Sequence, residues 1–213
     1  MGFRLENVLP SPLHDWDFEP NSIWKNTVYF NPQEKHLLAS PSGKGKSTLI
    51  ALLFGLRKDY TGDIFYKEKK LKNLKADEWS VLRRNELSIL HQELKLFGQL
   101  TVWENFEIKN RLTAFKTKHE IEELAEKLGI ESLLNRQCST LSLGQQQRVA
   151  ILRSVLQPFN YLLMDEPFSH IDESNIKKAL ALIEEECAIN EAGYILTSLG
   201  ETYGITHSTQ HIV

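Results

Sequence analysis

The sequence predicts an α/β protein, and three stretches carry that prediction. Residues Ser40 to Thr48 read Ser-Pro-Ser-Gly-Lys-Gly-Lys-Ser-Thr, between a short apolar run, Lys35–Ala39, and an unbroken apolar stretch, Leu49–Phe54. That order is strand, glycine-containing loop, helix. A second apolar run, Tyr161–Met164, ends in Asp165, Glu166 and Pro167, as a buried strand opening onto a polar edge would. From Leu100 to Leu134 helical spacing takes over and no strand candidate interrupts it. The expected architecture is one α/β domain over 1–213 with a helical stretch in its middle.

The remaining elements follow in order. Phe3–Val8 alternates as a strand does and is stopped by Pro10 and Pro12, and Ser22–Phe30 is rich in β-formers and stops at Asn31-Pro32. Asp63–Tyr66 follows a Thr61-Gly62 turn signal, with Lys67–Lys70 as a solvated hairpin tip. Leu87–Leu90 reads as a buried strand that delivers Gln92 at its end. Thr101–Leu112 and His119–Leu128 have helical spacing with charged outer faces. Leu143–Gln157 is a helix with Ser142 at its N-cap, where a hydroxyl satisfies a free N–H. Glu173–Ile189 places Ile176, Leu180 and Ile183 on one side of a helix, and Tyr194–Thr197 returns to strand. A final strand near Val213 leaves no expectation of a C-terminal regulatory domain.

Composition narrows the function classes. The 213 residues are 41% hydrophobic and 25% charged with net charge −3, which gives no overall basic field, so no nucleic acid partner is expected. No run approaches the roughly 18 apolar residues of a membrane span, and the N-terminus lacks a secretory pattern. Cys138 and Cys187 stand far apart without metal-ligand spacing, so a reduced cytosolic setting is the expectation.

The loop of Ser42, Gly43, Lys44, Gly45, Lys46, Ser47 and Thr48 is where chemistry is expected. Backbone N–H groups of such a loop and of the first helical turn converge on an anion, and the helix dipole adds positive potential. Lys46 would supply a point charge to the β- and γ-phosphates and the Ser47 hydroxyl would hold Mg²⁺. Ser40 departs from the usual glycine, at about 1–3 kcal/mol if it needs a positive φ and almost nothing otherwise. Asp165 and Glu166, as successive strand residues, point oppositely and should do different work.

Three further strings follow in order: His91-Gln92-Glu-Leu-Lys-Leu-Phe97 with Leu100-Thr-Val-Trp-Glu-Asn105, Leu141-Ser-Leu-Gly-Gln-Gln-Gln-Arg148, and Pro167-Phe-Ser-His-Ile-Asp172. With the loop and the carboxylates, this set resembles the ATP-binding cassette (ABC) ATPases from about Phe3 to about Ile212, with Leu143 in place of a signature glycine. The resemblance implies a P-loop NTPase fold with a mixed-sheet core and a small helical subdomain over about 98–150, ATP and Mg²⁺ as ligands, and catalytic roles for Glu166, Lys46 and Gln92. It puts Ser47, Gln92 and Asp165 at the metal, and Trp16 (rather than Phe18) on the adenine. It also brings Ser142, Gly144 and Gln145 to the nucleotide of a second ABC subunit, in a homo- or heterodimer. A separately encoded transmembrane permease subunit would dock near Phe97, Leu100 and Trp103, holding a cytoplasmic protein at the inner face of the membrane. The Gln-Gln-Gln-Arg148 and Leu-Thr-Val-Trp-Glu-Asn105 strings resemble small bacterial subunits of the lipoprotein-release, cell-division and macrolide-export type. The family's switch histidine falls on Leu199, which implies slow turnover; His207 and His211 read as surface residues of the last strand. The rival reading is an ABC-type regulatory or structural clamp with little hydrolysis.

Overall fold

The computed structural model describes residues 2–205 and 208–213. Two sheets divide the strands by type. Phe3–Pro10 (β1), Thr27–Phe30 (β2), Tyr60–Tyr66 (β4) and Lys69–Lys70 (β5) form an antiparallel sheet in the order β2-β1-β4-β5. Lys35–Ala39 (β3), Leu87–Leu90 (β6), Tyr161–Asp165 (β7), Gly193–Ser198 (β8) and Ser208–Gln210 (β9) form a parallel sheet in the order β6-β7-β8-β3-β9. β7 and β8 are buried along their whole length, which matches their near-continuous apolar sequences.

The helices are Lys46–Leu53 (α1), Ala76–Asn85 (α2), Val102–Asn110 (α3), Lys118–Lys127 (α4), Leu143–Ser154 (α5) and Glu173–Ile189 (α6). Three of them start on reciprocal capping boxes, Thr101 with Glu104, Thr117 with Glu120 and Ser142 with Gln145, each cap being worth about 1 kcal/mol. One apolar cluster joins α3, α4, α5 and α6 to the parallel sheet through Phe106, Leu124, Val149, Leu162 and Ile183. A second fills the space between the antiparallel sheet and α1 and α2, with Phe3, Leu5, Leu49, Ile64 and Trp79. Lys116 and Glu186, 2.9 Å apart and both nearly fully buried, tie the entry of α4 to α6.

Two elements differ from the sequence expectation. The strand expected from Ser22 begins only at Thr27, because Ile23 and Trp24 turn into the core and the Trp24 indole donates to the Lys44 carbonyl at 3.3 Å. Trp24 thus braces the phosphate loop instead of a ladder. α5 stops at Ser154, three residues short of Gln157; Pro158 disfavours helix just before it, and the Gln157 amide caps the carbonyls of Arg83 and Leu87. Among the described residues, no helix is long and apolar enough to cross a membrane.

Candidate nucleotide site

The parallel sheet places its site by topology. β3, β6, β7 and β8 end at the same edge, where the loops after them carry the polar residues, and ligands of open parallel sheets bind at that edge. After β3 the chain enters the phosphate loop, with Gly43 and Gly45 at φ of 85° and 95°. At Gly45 a side chain is also excluded by space, because a Cβ would come within 2.6 Å of Leu13 Cδ1. Ser40 lies outside the left-handed region, so it carries no backbone strain.

Lys46 opens α1 and is only 4% exposed. Its ammonium donates to the carbonyls of Ser40 at 2.5 Å and Pro41 at 2.8 Å, so it curls under the loop rather than pairing with an acid. Burial pulls it below the ordinary lysine range, while Glu166 and Asp165 pull the other way. A desolvated cation under a loop of converging N–H groups fits an anion above it. The cleft there holds about 290 Å³ and is lined by Ser42, Gly43, Gly45, Lys46, Ser47, Thr48, Gln92 and Glu166, with Pro12 and Leu13. Trp16 stands at its edge, 3.5 Å from where a Gly43 Cβ would lie, with the Lys44 ammonium 5.8 Å from its ring. Phe18 instead packs against the second apolar cluster.

The two carboxylates have different surroundings, Asp165 as the last residue of β7 and Glu166 just beyond it. Asp165 is buried and accepts from Thr197 Oγ1 at 2.8 Å. Glu166 turns the other way, with φ at 48° and its carboxylate accepting from the Gln92 amide at 3.2 Å. A glutamate in the left-handed region costs about 1–3 kcal/mol and persists only where its surroundings hold it. The holders are Thr197, whose Oγ1 accepts from the Glu166 N–H at 3.0 Å, and Gln147, whose amide donates to the Glu166 carbonyl at 3.2 Å. Neither residue was foreseen from sequence. The string Leu196-Thr197 gave a partial signal for the first; Gln147 sat inside a string read for Ser142, Gly144 and Gln145.

Ser142, Gly144 and Gln145 lie elsewhere, on a second cleft of about 240 Å³ with Arg148, His170, Asp172 and Asn175. The Ser142 hydroxyl accepts from the Gln145 N–H at 3.3 Å and keeps its own proton to donate. A Cβ at Gly144 would lie 2.7 Å from the His170 carbonyl, so glycine lets α5 press against the loop after β7. Gln147 locks the same contact by accepting from the His170 N–H at 2.9 Å. Leu143 is 58% exposed beside this cleft.

At the switch position Leu199 is 56% exposed and offers no donor, and the neighbouring Ser198 hydroxyl is committed to the Glu201 carbonyl at 2.5 Å. His207 lies outside the described residues. His211 is not the surface residue expected from alternation. It is half-buried against Phe30 and bonds His36 at 3.1 Å, because the last segment runs beside β3 and brings this ring against His36 and Phe30.

The fold is that of an ATPase of the P-loop NTPase class. Residues 25–169 match the model of the family described as ABC transporter. The thiamine import ATP-binding protein ThiQ of Histophilus somni is 32% identical over 91% of this chain and 86% of its own length. The lipoprotein-releasing system ATP-binding protein LolD of Saccharophagus degradans is 31% identical over 78% of this chain and 75% of its own. Among solved structures, the dimeric bacterial ABC transporter cassette MJ0796 superposes with a TM-score of 0.77 at 25% identity, over 92% of this chain and 87% of that one. The chain belongs to the ABC transporter family, as an ATP-binding and ATP-hydrolysing cassette.

Proposed function

We propose that this chain powers a separately encoded transmembrane permease by closing on Mg·ATP as a head-to-tail pair. The observation that carries this reading is the separation of the two half-sites. The phosphate-loop cleft has a cation and a carboxylate but no signature residue, and the Ser142 cleft has a donor-bearing helix N-terminus but no phosphate loop. Each completes the other only if a second copy or a related subunit turns its Ser142 face to the Lys46 cleft.

In that pair Lys46 and the loop N–H groups bind phosphate oxygens, and Trp16 stacks on the base. Mg²⁺, when bound, offsets charge on the β- and γ-phosphates. Ser47, Asp165 and Gln92 would hold it. Ser47 and Gln92 line the Lys46 cleft and offer oxygen donors, the type that magnesium takes. Glu166, fixed by Gln92 and Thr197, orients the attacking water and accepts its proton. Leu199 removes one donor to developing negative charge, so intrinsic turnover is slow. Thiamine import and lipoprotein release, named for two relatives, use cassettes of this kind on different cargo; here too the permease sets the cargo, and the cassette sits on the cytoplasmic side of the membrane through it. The helices from α3 into α5 form the subdomain that faces the permease, within a single cassette domain.

The exposed Leu199 also favours a second reading, a clamp that binds ATP and hardly hydrolyses it. One variant separates them. Glu166→Gln should keep ATP binding, lose turnover and run as a dimer with ATP in size-exclusion chromatography. A monomer that turns over at the parent's rate would refute the transporter-motor reading, and a parent with no measurable turnover would favour the clamp.

A further inference from the structure

Between the β4–β5 hairpin and α2 lies a cleft of about 550 Å³, nearly twice the volume at the phosphate loop. It exists because the hairpin tip is charged. Tyr66 pairs with Lys69, and the turn between them is Lys67 and Glu68, so no apolar side chain of the tip reaches across to the helix. Two ionic straps hold the tip there instead. Lys69 pairs with Glu78 in the first turn of α2 at 2.9 Å, and Lys67 pairs with Glu86 at its C-cap at 2.6 Å. The second strap is anchored, since Glu86 also accepts from the Tyr66 hydroxyl at 2.9 Å and the Asn160 amide at 3.1 Å. The rise from 78 to 86 sets the straps about 12 Å apart along the helix. Between them Tyr66, Leu74 and Leu82, all nearly buried, form an apolar floor, and Val81, 47% exposed, stands at the mouth.

The charges around this opening do not balance. Lys67 and Lys69 face four carboxylates, Glu68, Asp77, Glu78 and Glu86, which leaves a net charge of −2 on the lining. The straps neutralise Glu78 and Glu86, whereas Glu68 and Asp77, both exposed, enter no ion pair among the described residues. The run Lys67-Glu-Lys-Lys70 is therefore not a basic face, for Lys70 is paired as well, with Asp63 at 2.6 Å.

We propose that this cleft binds a small organic cation, a compact apolar or aromatic body with one protonated amine. The body rests on Tyr66, Leu74 and Leu82, and the amine lies at the mouth beside Asp77 and Glu68. Clefts of this size with an apolar lining and a few polar groups take small molecules. The straps close both ends, which shuts out a continuous helix or strand of a partner protein. Apolar burial supplies most of the affinity, and the unpaired carboxylates select a cation over an acid of the same shape. That selection is by a few fold and weakens with salt, because both carboxylates are solvated. None of these residues lines the Lys46 or Ser142 clefts, so the site is independent of the nucleotide.

The test titrates the full chain with biphenylbutylamine and with the alcohol and the carboxylic acid of the same skeleton, followed by calorimetry and by amide NMR shifts. The amine should bind about threefold to fivefold tighter than the alcohol, the ratio one exposed ion pair allows, and the acid should bind weakest. Shifts should centre on Leu74, Val81 and Leu82. Asp77→Asn combined with Glu68→Gln should bring the amine to the level of the alcohol and leave the alcohol unchanged. Val81→Trp, which fills the mouth, should weaken all three probes, and ATP affinity should be the same in every variant. Equal binding of amine and acid, shifts centred elsewhere, affinity untouched by Val81→Trp, or no binding at about 1 mM probe would overturn the proposal.

Discussion

Thr197 gives the sharpest single-atom test of the site, because one hydroxyl serves the Asp165 carboxylate and the Glu166 backbone. It donates to Asp165 Oδ1 at 2.8 Å and accepts from the Glu166 N–H at 3.0 Å, in a fully buried position. Thr197→Val keeps the shape and deletes both bonds. Loss of a hydrogen bond to a charged group is worth about 1.5–3 kcal/mol, and a buried N–H left alone adds about 1–3 kcal/mol. Some of that returns when Glu166 relaxes from its strained φ, itself worth about 1–3 kcal/mol. The net expectation is a loss of about 2–3 kcal/mol, a fall in Tm of about 4–12 °C for a chain of this size. Turnover should fall further than stability, since a relaxed Glu166 no longer sits where Gln92 holds it. Thr197→Ser keeps the hydroxyl and serves as the control, losing little of either. Calorimetric melting and steady-state ATP turnover on the three proteins decide the matter. A valine variant with the parent's Tm and turnover would refute the claim that Thr197 fixes Glu166.

Further outcomes follow from other residues. Lys46→Ala should remove most ATP affinity in a folded protein, measured by calorimetry, because it deletes the buried cation under the loop. Leu199→His should raise turnover more than affinity, up to the roughly 10²–10³ that one well-placed donor supplies; unchanged turnover together with fast parental hydrolysis would show that another group does that work. The His36–His211 pair should make the fold acid-sensitive. Burial first, then His36, lowers His211 to about 4 from the usual 6.5, so the folded ring stays neutral where the unfolded one binds a proton. Its contribution is present above pH 6.5 and is lost as pH falls toward 4; for a partly exposed ring that amounts to about 1–2 kcal/mol. Urea denaturation at pH 7 and pH 4.5 should show this drop in the parent and a smaller one in His211→Asn. Lys116→Ala should cost about 3 kcal/mol, since it strands the buried Glu186, whose second oxygen already lacks a partner; a shift below 1 °C in Tm would contradict it.

Much of this was readable in the chain, for identifiable reasons. Leu87–Leu90 and Glu173–Ile189 have the same bounds in sequence and structure, because each is a clean apolar pattern between strong stop signals. The segment at Ser22 misled because Ile23 and Trp24 are β-formers whose burial serves the phosphate loop, a tertiary contact that no local pattern encodes. α2 drew no expectation, as only Trp79 and Leu82 of its ten residues are buried and charged residues make up much of the rest. At the site, the loop and carboxylates were legible as strings, whereas Thr197 on β8 and Gln147 on α5 act through hydrogen bonds to segments distant in sequence. His211 was misplaced because alternation describes one strand's faces and says nothing of the histidine on its neighbour.

The central claim, that two half-sites meet across ATP, is tested most directly by cross-linking. Ser42 lines one cleft and Ser142 the other, and both are exposed, while the native Cys138 and Cys187 are buried. Mixing Ser42→Cys with Ser142→Cys, each in the Glu166→Gln background, and adding a short bis-maleimide should give a covalent dimer that depends on ATP and Mg²⁺ and disappears with Lys46→Ala. A cross-link formed equally without nucleotide, or none formed with it, would contradict the head-to-tail account.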